Sequence, residues 1–188
     1  MAEEKIALEI VTPKGRALAA SVDEVTAPSV QGEFGVLPGH LPLLAALRTG
    51  IVTYRTGSET KKCAVGAGFA EVGPDKVVVL TDEYTERDRI DPVLVRKELG
   101  EVEEELHKLE AIPLVAPDAK GADAAATSSR ARRDVLIARE NWLAVQLELY
   151  GDPPFATQRP HEEFGPPAPP PEDEVPTDAA PPPADGHK

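Results

Sequence analysis

The chain has 188 residues, a formal net charge of −13 and a pI near 4.7, which leaves room for one ordinary domain, or a small domain with an appendage, and excludes a large multidomain enzyme. So acidic a chain lacks the clustered basic surface that grips nucleic acid, and an anionic membrane surface repels it for the same reason. Its single cysteine, Cys63, rules out an intrachain disulfide and a cysteine-built zinc cluster, and reads as a small buried hydrophobe in a reducing compartment.

The opening, MAEEKIALEIV, carries Glu3 and Glu4 where a signal peptide is basic, so neither a secretion signal nor an organelle presequence is expected. The longest nearly apolar run, Leu41 to Leu47, contains Pro42 and falls far short of the roughly 20 residues that span a bilayer. A bacterial cytoplasmic chain is the expectation.

From residue 5 to about 82 the pattern is one of short β-branched runs: Ile6 to Val11, Val22 to Pro28, Ile51 to Arg55, Lys62 to Val65 and Val77 to Leu80. Ile6, Leu8 and Ile10 alternate onto one face, and Val22, Val25 and Ala27 nearly do, with a slip compatible with a bulge. Turn residues separate the runs at Pro13-Lys14-Gly15, Gln31-Gly32, Thr56-Gly57-Ser58 and Gly73-Pro74-Asp75. Strands this closely spaced predict a sandwich or barrel, here with a core of Val, Leu, Ile and Ala.

At residue 90 the period turns helical. Asp91 stands as an N-cap and Pro92 at the first helical position, and a helix is expected over 92–111 with its seam on Val95, Leu99, Val102, Leu106 and Leu109. Residues 113–127, with two prolines and a glycine, read as a loop. A second helix is expected over 129–149, its seam on Val135, Ala138, Trp142, Val145 and Leu149, so that the two stripes close an antiparallel hairpin. Gly151 and Pro153 stop it. Residues 151–188 hold 12 of the chain's 20 prolines and eight acids against Arg159 and Lys188. This tail is expected to be disordered, as a solvated spacer or a proline-rich docking segment. The expected division is a β domain over 1–88, a helical hairpin over 89–150 and the tail over 151–188.

Chemistry-bearing patterns are scarce. Of the four histidines, His161 and His187 lie in the tail and His107 has no second ligand one helical turn on, so no metal site is expected. No GxSxG, HExxH or phosphate-cradling glycine motif occurs. Gly66-Ala67-Gly68 imitates part of a dinucleotide fingerprint but runs into strand-like Phe69-Ala70-Glu71-Val72. The distinctive segment is Gly32 to Leu44, GEFGVLPGHLPLL, where three glycines and two prolines punctuate a hydrophobic run. A tight strand, turn and strand is expected there, with Phe34, Val36, Leu37, Leu41, Leu43 and Leu44 turned inward and His40 bonding its own turn.

That segment, with Gly50 after it and Gly66-Ala67-Gly68-Phe69-Ala70-Glu71-Val72 further on, resembles the N-terminal domain of the ATP synthase epsilon subunits, and the likeness extends over about residues 5–150. The resemblance implies an all-β sandwich of about ten strands followed by a two-helix hairpin, α+β in sequence order. It implies a non-catalytic rotor subunit without cofactors that joins the gamma subunit to the ring of c subunits on the cytoplasmic face of the inner membrane. Its hairpin would extend into the alpha/beta catalytic head to restrain ATP hydrolysis. Glu33 takes the position of the c-ring contact and His40 lies near the gamma and c-ring contact. Arg130, Arg132 and Arg133 correspond to basic residues that approach a beta subunit, or else they pair with acids of the first helix. The nucleotide motif Ile/Leu-Asp-x-x-Arg-Ala is met only by Ile90 and Asp91, since Leu94 and Val95 replace its last two residues. A free ATP-binding sensor and a small enzyme built around His40 are the competing readings.

Overall fold

The computed structural model describes residues 4–110 and 122–154, with the backbone alone for Glu110 and 122–127. The expectations for most of the inter-helix loop and for the proline-rich tail therefore lie outside the described residues.

Ten strands come first: β1 (Ile6–Thr12), β2 (Gly15–Val22), β3 (Glu24–Ser29), β4 (Gly32–Val36), β5 (Leu43–Leu47), β6 (Gly50–Thr56), β7 (Glu59–Val65), β8 (Gly68–Val72), β9 (Lys76–Thr81) and β10 (Tyr84–Glu86). A 3-10 turn over Arg87–Arg89 leads into α1 (Pro92–Glu110) and α2 (Ala122–Tyr150). The strand order is β10-β7-β6-β3-β5-β8-β9-β1-β2, with β4 also on β3. Only Ser29↔Leu47 joins β3 to β5, so the sheet folds over at that pair and its two halves stack as a sandwich.

The inner faces of both halves supply one core. Ile6, Leu8 and Ile10 of β1 meet Val22, Val25, Val36, Val52, Val65, Val77 and Val79, all fully buried. The period-two alternation of the sequence produces this, since every second residue of a strand points to the same face. Cys63 lies within this core, and burial pushes its thiol up to about 12, so it packs as an inert hydrophobe.

The slip read between Val22 and Val25 as a bulge is a corner instead. The chain breaks at Asp23 and passes from one half of the sandwich to the other. Asp23 holds the corner: its N–H donates to the Arg55 carbonyl at 2.8 Å, and its carboxylate accepts the Gly57 N–H at 2.5 Å and pairs with Lys5 at 3.0 Å. These partners hold the Asp23 carboxyl below the usual carboxylate range, the Gly57 N–H foremost. Gly68 meets a different constraint. A Cβ there would lie 2.0 Å from the Leu80 carbonyl oxygen, so only glycine allows β8 and β9 to approach so closely.

The hairpin docks on the outside of the first half. Asp91 Oδ1 accepts the N–H groups of Val93 and Leu94 at 3.0 and 3.2 Å, which caps α1 as expected. Val95, Leu99, Val102 and Leu106 are buried in the hairpin core. At the far end Gly151, at φ +100°, takes the left-handed conformation that closes α2, its N–H reaching the Leu147 carbonyl at 3.1 Å.

Two expectations for α2 fail. The helix begins at Ala122 and not near 129, because the alanine-rich stretch 122–126 is among the strongest helix formers and no proline interrupts it. Its seam also differs: Trp142, Val145 and Leu149 are buried, but Val135 is 69% exposed and Ala138 is exposed too. Leu143, Ala144 and Leu147 are buried instead, with Leu136 and Ile137 half-buried. The C-terminal half of α2 lies between α1 and strands β6 and β7, so it buries two faces rather than one stripe.

Candidate partner-binding surfaces

The segment Gly32 to Leu44 forms β4, a loop and the start of β5. Leu37-Pro38-Gly39-His40 is a turn, closed by the His40 N–H donating to the Leu37 carbonyl at 3.1 Å. Pro38 supplies the fixed φ of its second position and Gly39, at φ +80°, the positive φ of its third, as a type II turn requires. The Gly39 N–H reaches the Pro74 carbonyl at 2.7 Å, which ties the loop to the β8–β9 turn. His40 Nδ1 lies 2.6 Å from the carbonyl of Leu41, so the ring bonds its own turn as read from the sequence.

Glu33 stands at the other end of β4, exposed and opposite Pro28. At about 3.3 Å per residue, the strand holds the two candidate side chains well apart. They mark separate ends of one edge of the sandwich and share no site. Ser29 shapes the adjoining turn, its hydroxyl donating to the Gly32 carbonyl at 2.7 Å and accepting the Gln31 N–H at 3.1 Å.

The apolar interior expected for this segment is largely absent. Val36 is buried, but Leu41 is 79% and Leu44 73% exposed, and Leu37 and Leu43 are exposed as well. Registers explain where they point. Ala46 pairs with Phe69 and Phe69 with Leu80 across β5, β8 and β9, while Leu44 pairs with Glu71. These positions lie between the inward Ala70, Val72 and Val79, so they form the outer face of the second half. Phe69 is 55% and Leu80 49% exposed there. An outer face that exposes Leu44, Phe69 and Leu80 beside Glu71, with Leu37 and Leu41 exposed on the loop before β5, carries the large exposed apolar side chains that mark a protein interface. Sequence reasoning missed it because the run was read as interior.

Arg132 pairs with Glu105 of α1, its Nε 3.0 Å from the carboxylate. The helix-pairing role is thus the one seen for it in the packed hairpin. Arg130 and Arg133 are exposed on α2. Asp91 spends its carboxylate on the α1 cap. A residue the sequence gave no reason to single out, Arg139, contacts both α1 and the sandwich: Nε and Nη2 donate to Glu98 Oε1 at 2.9 and 2.6 Å, and Nη1 lies 3.7 Å from Glu83 Oε1. Its signal, the one arginine in the C-terminal half of α2, becomes legible only once that half-helix is known to be buried. Among the described residues no group of three or more His, Cys, Asp or Glu side chains is placed to hold a metal, and no helix is long and apolar enough to cross a membrane.

Comparison with known proteins gives concordant results. The family model for the β-sandwich domain of the ATP synthase delta/epsilon chain matches residues 5–87. An ATP synthase epsilon chain of Syntrophotalea carbinolica is 43% identical over 106 residues, covering 56% of this chain and 77% of that one. One of Syntrophobacter fumaroxidans is 47% identical over 90 residues, covering 48% and 67%. Among solved structures, a chain of the Euglena gracilis mitochondrial ATP synthase in its OSCP/F1/c-ring assembly is similar in fold, with a TM-score of 0.57, 22% identity, and coverage of 77% of this chain and 82% of that one. With a relative this similar spanned over three quarters of its length and the sandwich-domain model matching residues 5–87, the chain belongs to the family of ATP synthase epsilon chains.

Proposed function

We propose that the chain is a non-catalytic central-stalk subunit of a rotary ATP synthase. It fixes the gamma subunit to the ring of c subunits, so that rotation driven by a transmembrane proton gradient reaches the alpha/beta catalytic head. The observation that carries this reading is the bare apolar face of Leu44, Phe69 and Leu80 in a member of this family. The gamma subunit is its occupant. Glu33, exposed beside the β3–β4 turn, meets polar loops of the c ring through charge-assisted hydrogen bonds, and the Leu37–Leu41 loop with His40 borders both contacts. The subunit sits on the cytoplasmic face of the bacterial inner membrane and is held there through the complex. The experiment is copurification with gamma: Phe69→Ser is expected to weaken the complex at least about tenfold, as loss of a central aromatic anchor does. Unchanged binding by Phe69→Ser and by Leu44→Ser would sink the assignment of this face.

The hairpin has a second role, the restraint of ATP hydrolysis. It packs on β6 and β7 in one state, leaves them in another, and in the extended state presents Arg130, Arg132 and Arg133 to a beta subunit. An exposed Arg130 and the reversible Arg132–Glu105 pair support this reading, since a surface pair is worth only about 0–1 kcal/mol and breaks readily. Removing residues 89–188 is expected to raise the ATPase rate of the assembled enzyme while the sandwich stays bound; an unaltered rate refutes the restraint.

A further inference from the structure

The packed hairpin must be held by something that can also let go, and apolar burial alone offers no specific catch. Trp142, Leu143, Val145, Leu147 and Leu149 bury the C-terminal half of α2 against α1 and the outer side of β6 and β7, where Ala64 is fully buried and Ile51 partly so. Within this apolar contact Arg139 is set so that its guanidinium faces two elements at once. It grips Glu98 of α1 with two nitrogens and reaches Glu83, in the β9–β10 connection, with a third. A planar guanidinium offers five N–H donors in a fixed fork, so one side chain can serve both carboxylates.

Glu83 is held in place independently of the hairpin. The Gly66 N–H donates to its backbone carbonyl at 2.9 Å, and Thr81 Oγ1 donates to the same carbonyl at 3.1 Å. Its Oε2 is sealed from solvent without a hydrogen bond. The groups facing its carboxyl are Arg139 from α2, Glu98 from α1, Asp82 beside it and Lys14 from the β1–β2 turn. Burial pushes the Glu83 carboxyl above the usual range, and Arg139 is foremost among the charges that pull it back.

We propose that Arg139 is the latch of the hairpin: shared between Glu98 and Glu83, its guanidinium opposes both the separation of α2 from α1 and the lifting of α2 off the sandwich. Because either motion removes one of its two partners, the latch resists the first step of hairpin departure by whichever route. Its consequence for ATP hydrolysis rests on the exchange of hairpin states proposed above; the latch itself does not. Arg139 is a positioning residue, since it touches no reacting group.

Trp142 is the chain's one tryptophan and is buried in the docked interface, so acrylamide quenching of its fluorescence in the isolated full-length chain reads hairpin opening directly. Arg139→Gln is expected to raise the quenchable population about fivefold, the scale of two partly exposed charge contacts. Arg139→Lys, which keeps the charge but not the fork, should raise it about twofold. Glu83→Gln should act in the same direction, and the double variant Glu83→Gln with Arg139→Gln should open no further than Arg139→Gln alone, since the two share one contact. A second readout follows the Glu83 carboxyl by carbon NMR: Arg139→Gln should move its titration upward, which a merely space-filling arginine would not do. Unchanged quenching in both Arg139 variants, with the urea midpoint of the sandwich intact, overturns the latch. Should Arg139→Gln fail to fold, the Arg139→Lys quenching and the Glu83 titration decide. In the assembled enzyme, loosened quenching with an unaltered ATPase rate would overturn the restraint of hydrolysis and leave the latch standing.

Discussion

The outer surface of the sandwich comes in two versions. On β6 and β7 the outward Ile51 and Ala64 pair across the strands and lie beneath α2. On β5, β8 and β9 the outward Ala46, Phe69 and Leu80 pair in the same way, Leu44 lies opposite Glu71, and all four apolar side chains are exposed. Both surfaces are built on the same inward core, and both are apolar where a solvated sheet would be polar. The difference lies only in the occupant. One surface is covered by the chain's own hairpin, and in the proposed assembly the other is covered by a different subunit. A cover on the same chain keeps a high effective concentration when it lifts off, which suits a part that moves; a cover from another chain suits a joint that must hold.

The sharpest way to break this comparison is to damage the cover on one side. Leu143 is almost fully buried between the hairpin and the sandwich, so Leu143→Ala should cost about 3 kcal/mol of hairpin docking through lost transfer energy and a residual cavity. Urea unfolding followed by Trp142 fluorescence should show the hairpin leaving first, with the sandwich transition nearly unmoved. A single shared transition with both parts shifted equally would mean that the two are one cooperative unit.

A change beneath the bare surface comes next in size. Gly68→Ala forces a Cβ against the Leu80 carbonyl, and prying β8 from β9 should cost about 2 kcal/mol by overpacking. Thermal unfolding of the sandwich measures it. Gamma binding should fall as well, because Phe69 and Leu80 are registered by that strand pair.

Acid acts on the sandwich through Asp23. The Asp23 carboxyl is depressed below 3.8, so its contribution to the sandwich is present above about that pH and is lost as pH falls through the lowered value. Asp23→Asn should flatten the acid limb of sandwich stability.

The smallest expected effect is the most telling for the bare face. Phe69→Ser should change sandwich stability by no more than about 0.5 kcal/mol, because the ring already stands largely in solvent, while gamma binding falls by at least about an order of magnitude. A large loss of stability would instead mark Phe69 as part of the fold.

Much of the β core was legible, because Ile6, Leu8 and Ile10 alternate and strand geometry leaves alternating residues only one face to share. The α1 cap at Asp91 and the seam through Val95, Leu99, Val102 and Leu106 were legible for the same local reason. The Gly32–Leu44 segment identified the family while misleading about its own apolar residues, since a hydrophobic run reads as interior whether its cover is the same chain or another. Val135 shows the converse error: it sits at the right spacing on a stretch of α2 where no neighbour among the described residues covers it. Local pattern thus determined the strands, the helices, the family and the core face. Tertiary structure alone decided the corner at Asp23, the twofold burial of α2, the meeting of Arg139 with Glu98 and Glu83, and which outward face stays open. Each of these depends on which distant segments fold into contact, and the spacing of residues along one strand or helix carries no record of what lies across from it.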